Sequence, residues 1–213
     1  MLEKIIFSIL IICIPRKRLY RLLEQLEMGV FFFCIRRSQS NDIYTKLQNI
    51  FLAQAVAEHY HARYLAKLQG KKGDRSYKQI PQSHSLIYDS QGNYYADGVS
   101  RRYWSSRIFF KSQKPSELAT PDLLAFMQVY EESQESFYRV LAFITGEKLF
   151  GKIADSENSH KWEMKEELSN LVGQVRCDRL IEKWKFRKFL AFLILPIDLF
   201  EYLIKGKSKA EIN

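Results

Sequence analysis

Cysteine is scarce and scattered in this chain. Cys13, Cys34 and Cys177 are its three thiols, an odd number with no Cys-x-x-Cys pair among them. That excludes a disulfide framework and leaves apolar packing as the expected role of each. It points to a reducing, intracellular setting, cytoplasmic or peripheral to a membrane. No repeat or low-complexity run divides the 213 residues, and a hydrophobic content of 46% allows one sizeable core, so a single domain over 1–213 is expected. Apolar runs long enough to cross a bilayer, about 20 residues, are also missing. A secretory signal is not expected: the basic cluster Arg16-Lys17-Arg18 follows the apolar residues 2–14 instead of preceding them, and no small-residue cleavage site is visible. The net charge of +9 gathers near the apolar ends and forms no helix-turn-helix or aromatic RNA-binding motif, so nucleic acid is not an expected partner.

Histidine is scarce too, with four in the chain, but two of the four stand in the same setting. His61 follows Glu58 by three residues and His160 follows Glu157 by three. On a helix this spacing puts a carboxylate and an imidazole on one face, one turn apart, where both reach a single metal ion. Chance placement of 16 Glu and 4 His gives roughly 0.3 such pairs. At about 100° per residue, Leu47, Ile50, Phe51, Ala55, Ala62, Leu65 and Leu68 form one apolar stripe with Glu58 and His61 in its middle. Leu149, Ile153, Met164, Leu168 and Leu171 form another, with Glu157 and His160 inside it. Burying carboxylates in an apolar seam is costly unless they are paired or bind metal. A hydrogen-bonded internal network is the plainer explanation, and metal binding the sharper one.

A two-metal site needs one further inward carboxylate upstream of each pair. Glu27 lies at the edge of the stripe Leu19, Leu22, Leu23, Leu26 and Val30, with Glu24 further round. Glu131 lies at the edge of the stripe Leu123, Met127, Tyr130, Gln134, Phe137 and Leu141, with Glu135 in reserve and Glu132 nearly opposite.

The order Glu27, Glu58-x-x-His61, Glu131, Glu157-x-x-His160 resembles the ferritin-like di-iron carboxylate superfamily, nearest its rubrerythrin-like and demethoxyubiquinone-hydroxylase-like branches. The steps of 31 residues from Glu27 to Glu58 and 26 from Glu131 to Glu157 suit helical hairpins that return to one level. The resemblance implies an all-α, ferritin-like four-helix bundle. Its helices are expected at about Lys17–Arg37, Asp42–Gln69, Pro121–Thr145 and Lys148–Cys177, with a bundle core of about 17–177. Thr120 is expected to cap the third, with Pro121 in its first turn, and Gly146 to close it. The resemblance also implies two iron ions, or manganese, with Glu58 and Glu157 central and His61, His160, Glu27 and Glu131 completing the coordination. Two ferrous ions can give two electrons to dioxygen or peroxide.

Residues 69–121 form a long connection between the second and third helices. In it, 86–98 carry a turn signal between Tyr-rich pieces and suggest a small hairpin. The basic, aromatic residues 101–110 suggest a lid or a substrate entrance, and His84 is expected to face solvent. The segments 1–16 and 178–213 are apolar with basic flanks and are expected to form short terminal helices. One reading lays them on an anionic membrane surface, and another packs them as core helices or as the seam of a homodimer. Pro196 is expected to kink the second segment, and Asp198 and Glu201 argue against its full insertion. The leading functional expectation is a di-iron oxidoreductase, an oxidase or hydroxylase, acting at a membrane surface on a lipid-soluble quinone or acyl compound. Iron oxidation or peroxide scavenging is the second. A non-catalytic membrane-associated bundle with hydrogen-bonded Glu and His is the third.

Overall fold

The computed structural model describes residues 2–70, 104–111 and 113–209. The expected hairpin over 86–98, His84 and Arg101–Tyr103 lie outside them. Among the described residues the chain is helical, with no strand. In order it forms α1 (Leu2–Cys13), α2 (Arg16–Ser38), α3 (Thr45–Leu68), α4 (Trp104–Phe110), a 3-10 turn (Pro115–Glu117), α5 (Thr120–Thr145), α6 (Lys148–Val172) and α7 (Gln174–Lys209). α2 packs along α3 and α5 along α6, as two hairpins, and α3 meets α6 where the hairpins join.

Local chemistry moves some boundaries from their expected places. α3 begins at Thr45 rather than Asp42. Asp42 reaches back to Arg37 at 3.3 Å and accepts a hydrogen bond from Ser40, so it ties the turn instead of opening the helix. α5 starts as expected with Pro121 in its first turn, but the cap position is Ala119 and Thr120 makes no capping bond. Gly146, at φ 71°, ends α5 in the left-handed region where a side chain is disfavoured. The expected fourth helix, to Cys177, is cut short at Val172 by Gly173 at φ 79°. Residues 174–177 belong to α7, which is not a short terminal helix but runs for 36 residues, through Pro196.

Along α2, α3, α5 and α6 the buried residues fall into two apolar clusters with a polar gap between. One cluster takes Phe31 and Cys34 of α2, Leu47 and Phe51 of α3, Leu123 and Met127 of α5, and Met164 and Leu168 of α6. The other takes Leu19 and Leu23, Leu65, Tyr138 and Leu141, and Phe150 and Ile153. α2 crosses the gap with Glu27, α3 with Glu58 and His61, α5 with Glu131, and α6 with Glu157 and His160. The fold therefore sandwiches one polar layer between two apolar ones.

The remaining helices wrap this arrangement. Phe7 of α1 sits edge-on to Phe137 of α5 at 5.0 Å and to Phe192 of α7 at 5.5 Å. Trp184 of α7 is fully buried against Phe109, Phe110 and Phe126. Burying such a side chain contributes on the order of 1.5–3 kcal/mol, so parts of both ends belong to the core. Asp198 of α7 is buried and accepts bonds from the backbone N–H of Trp104, at 2.9 Å, and of Ser105, at 2.8 Å. Its charge thus anchors α4. Each end also keeps an outward apolar stripe: Ile5, Ile9 and Ile12 on α1, and Phe186, Phe189, Leu193, Ile197 and Phe200 on α7, at helical spacing. No helix of the described residues is long and apolar enough to cross a membrane.

Candidate metal centre

The polar layer gathers ligand-bearing atoms into two groups of four. Glu27, Glu58, His61 and Glu157 form one, and Glu58, Glu131, Glu157 and His160 the other, with the atoms of each group within 4.8 Å of one another. Glu58 and Glu157 belong to both. All six residues singled out in the sequence are in the layer, each carboxylate is fully buried, and each imidazole is 8% exposed. Glu131, not Glu135, points inward, because Arg139 at 2.9 Å and Lys161 at 2.6 Å hold Glu135 outside. Glu132 turns to Lys185 and Lys188, and Glu24 accepts a bond from Gln69 at 2.6 Å.

The cage is only partly satisfied from within. Both oxygens of Glu58, Oε2 of Glu27, Oε2 of Glu131 and Oε1 of Glu157 are buried without a hydrogen bond. Nδ1 of His61 lies 3.5 Å from Glu27, 3.4 Å from Glu58 and 3.1 Å from Glu157, yet it is aligned for a hydrogen bond with none of them. An orphaned buried oxygen costs on the order of 1–3 kcal/mol, more when charged, so a layer with five of them is expensive unless something fills it. A cation accepts from lone pairs in directions a single N–H cannot serve. When ionised, the four carboxylates carry four negative charges, which two divalent cations would balance. The donor set, four oxygen groups with two imidazoles, suits iron or manganese.

The electrostatics show the same strain. Burial, followed by the charges of Glu157 and Glu27, pushes the Glu58 carboxyl well above its ordinary range. Burial, with Glu157 and Glu58, does the same to Glu131. Burial also opposes the charge on Glu157, but the bond to His160 and the charge of the nearby His61 overcome it and hold that group down at about 2. His61 moves up, because its carboxylate partners outweigh the burial that opposes its charge. So many acids in one dry layer cannot all ionise without added positive charge.

Two supports escaped the sequence reading as partners. Tyr138 of α5 donates its hydroxyl to Oε1 of Glu27, and Gln54 of α3 donates its amide to Oε1 of Glu131. Each occupies a ligand's own helical face: Gln54 one turn before Glu58, Tyr138 two turns after Glu131. That phase was the available signal. Cys34, two turns after Glu27, is buried at the edge of the layer, and its thiol is pushed well up by burial and by the charges of Glu58, Glu131 and Glu157. His59, between Glu58 and His61, packs its ring on Phe31 at 5.4 Å. Comparison with protein-family models, curated proteins and solved structures finds no match to this chain.

Proposed function

We propose that α2, α3, α5 and α6 form a ferritin-like four-helix bundle around a di-iron centre, and that the protein is an oxidoreductase using dioxygen or peroxide. The observation that carries this reading is the pair of four-residue groups sharing Glu58 and Glu157, with five of their carboxylate oxygens buried and unbonded. Glu58 and Glu157, common to both groups, would serve both ions, with His61 and Glu27 holding one and His160 and Glu131 the other. When bound, two ferrous ions supply the two electrons that such oxidants take up. The chain's own part is to orient the ligands through Tyr138 and Gln54 and to exclude water with the apolar clusters above and below. The outward stripes of α1 and α7 favour work at an anionic membrane surface, with apolar side chains dipping into the interface and basic residues such as Lys4 and Arg16 beside them.

Metal analysis after anaerobic reconstitution with ferrous ion tests the centre. Two irons per chain are expected, falling in His61→Ala and in His160→Ala while the helical circular dichroism persists. A wild-type protein that stays metal-free sinks the reading and leaves a hydrogen-bonded core. Co-sedimentation with anionic and neutral vesicles tests the surface. Loss of anionic-vesicle binding in a variant with Phe186, Phe189 and Phe200 changed to Ser is expected. If the intact chain ignores both vesicles, membrane association fails and soluble iron or peroxide chemistry becomes the better use of the centre.

A further inference from the structure

A cavity of about 350 Å³ lies between α2, α5 and the wrapping helices. Leu23 and Leu26 of α2, Phe137 of α5, Phe7 of α1, Phe109 of α4 and Leu195 of α7 give it a mostly apolar wall. Tyr130 and Gln134, also in the wall, bracket Glu131 along α5, so the cavity lies beside the polar layer. Leu26 is 41% exposed, so solvent reaches one edge. An apolar cavity of roughly 150 Å³ holds a benzene ring, so this one has room for a larger hydrocarbon group.

The polar groups of the wall are mostly engaged with the protein itself. The Tyr130 hydroxyl and the Gln134 amide nitrogen are buried and do not open onto the space. Ser105 donates its hydroxyl to Asp198, and Ser133 donates to the Val129 carbonyl at 3.1 Å. Ser106 adds one neutral hydroxyl. The charged group among the described wall residues is Lys188. Its ammonium lies between two carboxylates, 3.4 Å from Glu3 of α1 and 3.5 Å from Glu132 of α5. Lys185 also reaches Glu132, at 3.2 Å, so this corner sets two cations against two carboxylates and carries no net charge when all four are ionised. Glu3 keeps its Oε1 buried and unbonded, so the spare capacity here is that of an acceptor. An incoming carboxylate or phosphate would give up its water and meet no uncompensated cation. A neutral molecule avoids that loss, and its hydrocarbon body displaces water from an apolar wall.

We infer that this cavity binds an uncharged, mainly hydrocarbon molecule, and that Glu3 and Glu132 set the preference by neutralising Lys188. The two carboxylates act through the lysine and need not touch the ligand. The inference rests on the proposed di-iron reading only in treating the bound molecule as a substrate; binding itself does not require metal.

The test uses 1-decanol and decanoate, which share a chain and differ in head-group charge at neutral pH. Binding to the full chain is measured by calorimetry, and iron content is determined on the same sample. Decanol is expected to bind at one site, about tenfold more tightly than decanoate. Glu3→Gln combined with Glu132→Gln releases the Lys188 charge. It should tighten decanoate about tenfold and leave decanol within about twofold, since a bond to a charged group favours the ionised ligand. Ala191→Phe, which fills the cavity from α7, should abolish decanol binding. A diazirine-bearing decanol, on illumination, should attach to wall residues such as Phe137 or Leu195. Failure of decanol to bind, decanoate binding as tightly as decanol, decanoate unmoved by the double substitution, or attachment elsewhere, as on the outward stripes of α1 and α7, would each overturn the inference. If the double variant does not fold, Glu3→Gln alone reads the charge effect; if Ala191→Phe does not fold, the attachment map decides. A sample that binds decanol but takes up no iron refutes the di-iron reading alone, and an iron-loaded sample that ignores decanol refutes the cavity assignment alone.

Discussion

The two hairpins carry the same chemical sequence, a carboxylate followed by a Glu-x-x-His pair, but they hold it differently. Glu27 of the first is fixed by Tyr138 of the second, and Glu131 of the second is fixed by Gln54 of the first. Each hairpin therefore positions the other's lone carboxylate, and neither half is complete before they dock. The shared acids also diverge. Glu157 is bonded to His160, has His61 close by and keeps its charge, whereas burial and like charges push Glu58 toward its neutral form. Chemical repetition along the chain does not make the two halves electrostatically equal, because the tie-breaking contacts run between hairpins.

The strongest way to break the comparison is to remove a shared ligand. Glu58→Ala or Glu157→Ala should abolish binding of both irons, whereas Glu27→Ala or Glu131→Ala should leave one, read by metal analysis and by the spectrum of a substitute such as cobalt. If Glu58→Ala retains one ion, the sharing is wrong.

The second experiment sharpens the electrostatic difference in metal-free protein. Glu58 has a raised folded pKa, so its favourable contribution is full below the ordinary glutamate range and is lost as pH rises toward the folded value. Glu157 is depressed to about 2, so its contribution is present above the ordinary range and is lost as pH falls toward 2. Thermal melts from pH 5 to 8 should show wild-type stability falling with pH. Glu58→Gln should flatten that fall, and Glu157→Gln should lower stability across the window. Equal responses of the two variants would erase the asymmetry.

The supports come next. Tyr138→Phe should weaken the Glu27 side and Gln54→Leu the Glu131 side, each by about 10–100-fold in metal affinity, as loss of an outer-layer bond usually does. Competition with a calibrated chelator would measure both. Last are the turns. The second hairpin turns on Gly146 at φ 71°, so Gly146→Ala should cost about 1–2 kcal/mol in chemical denaturation. The first turns on the Arg37–Asp42 pair, whose Asp42 side chain is largely exposed, so Asp42→Ala should cost under about 1 kcal/mol.

Sequence alone revealed what depends on helical phase. The inward direction of Glu58, His61, Glu157 and His160, and the choice of Glu27 and Glu131, follow from residues within a few turns of each. What stayed hidden depends on partners far along the chain: Tyr138 reaches Glu27 across 111 positions, and Asp198 reaches Trp104 across 94. Asp198 looked only like a charge spoiling an apolar helix because α4, the element it anchors, has little apolar periodicity of its own. The end of α6 was missed for a different reason. The apolar rhythm continues from Leu168 through Cys177 and Ile181, and only the backbone at Gly173 records the break.

The sandwiching of one polar layer between two apolar clusters also constrains how this chain can drift. A single residue inserted within α5 between Leu124 and Glu131 would swing every side chain on one side of it by about 100° relative to the other, setting either Glu131 or the apolar cluster out of place. Insertions that preserve α2, α3, α5 and α6 must therefore fall in the connections, or come within a helix in whole-turn steps near three or four residues. Distant kin of this protein would be expected to conserve the distances between landmarks inside each helix, such as the seven residues from Glu27 to Cys34 or from Glu131 to Tyr138, while the spans between helices vary freely.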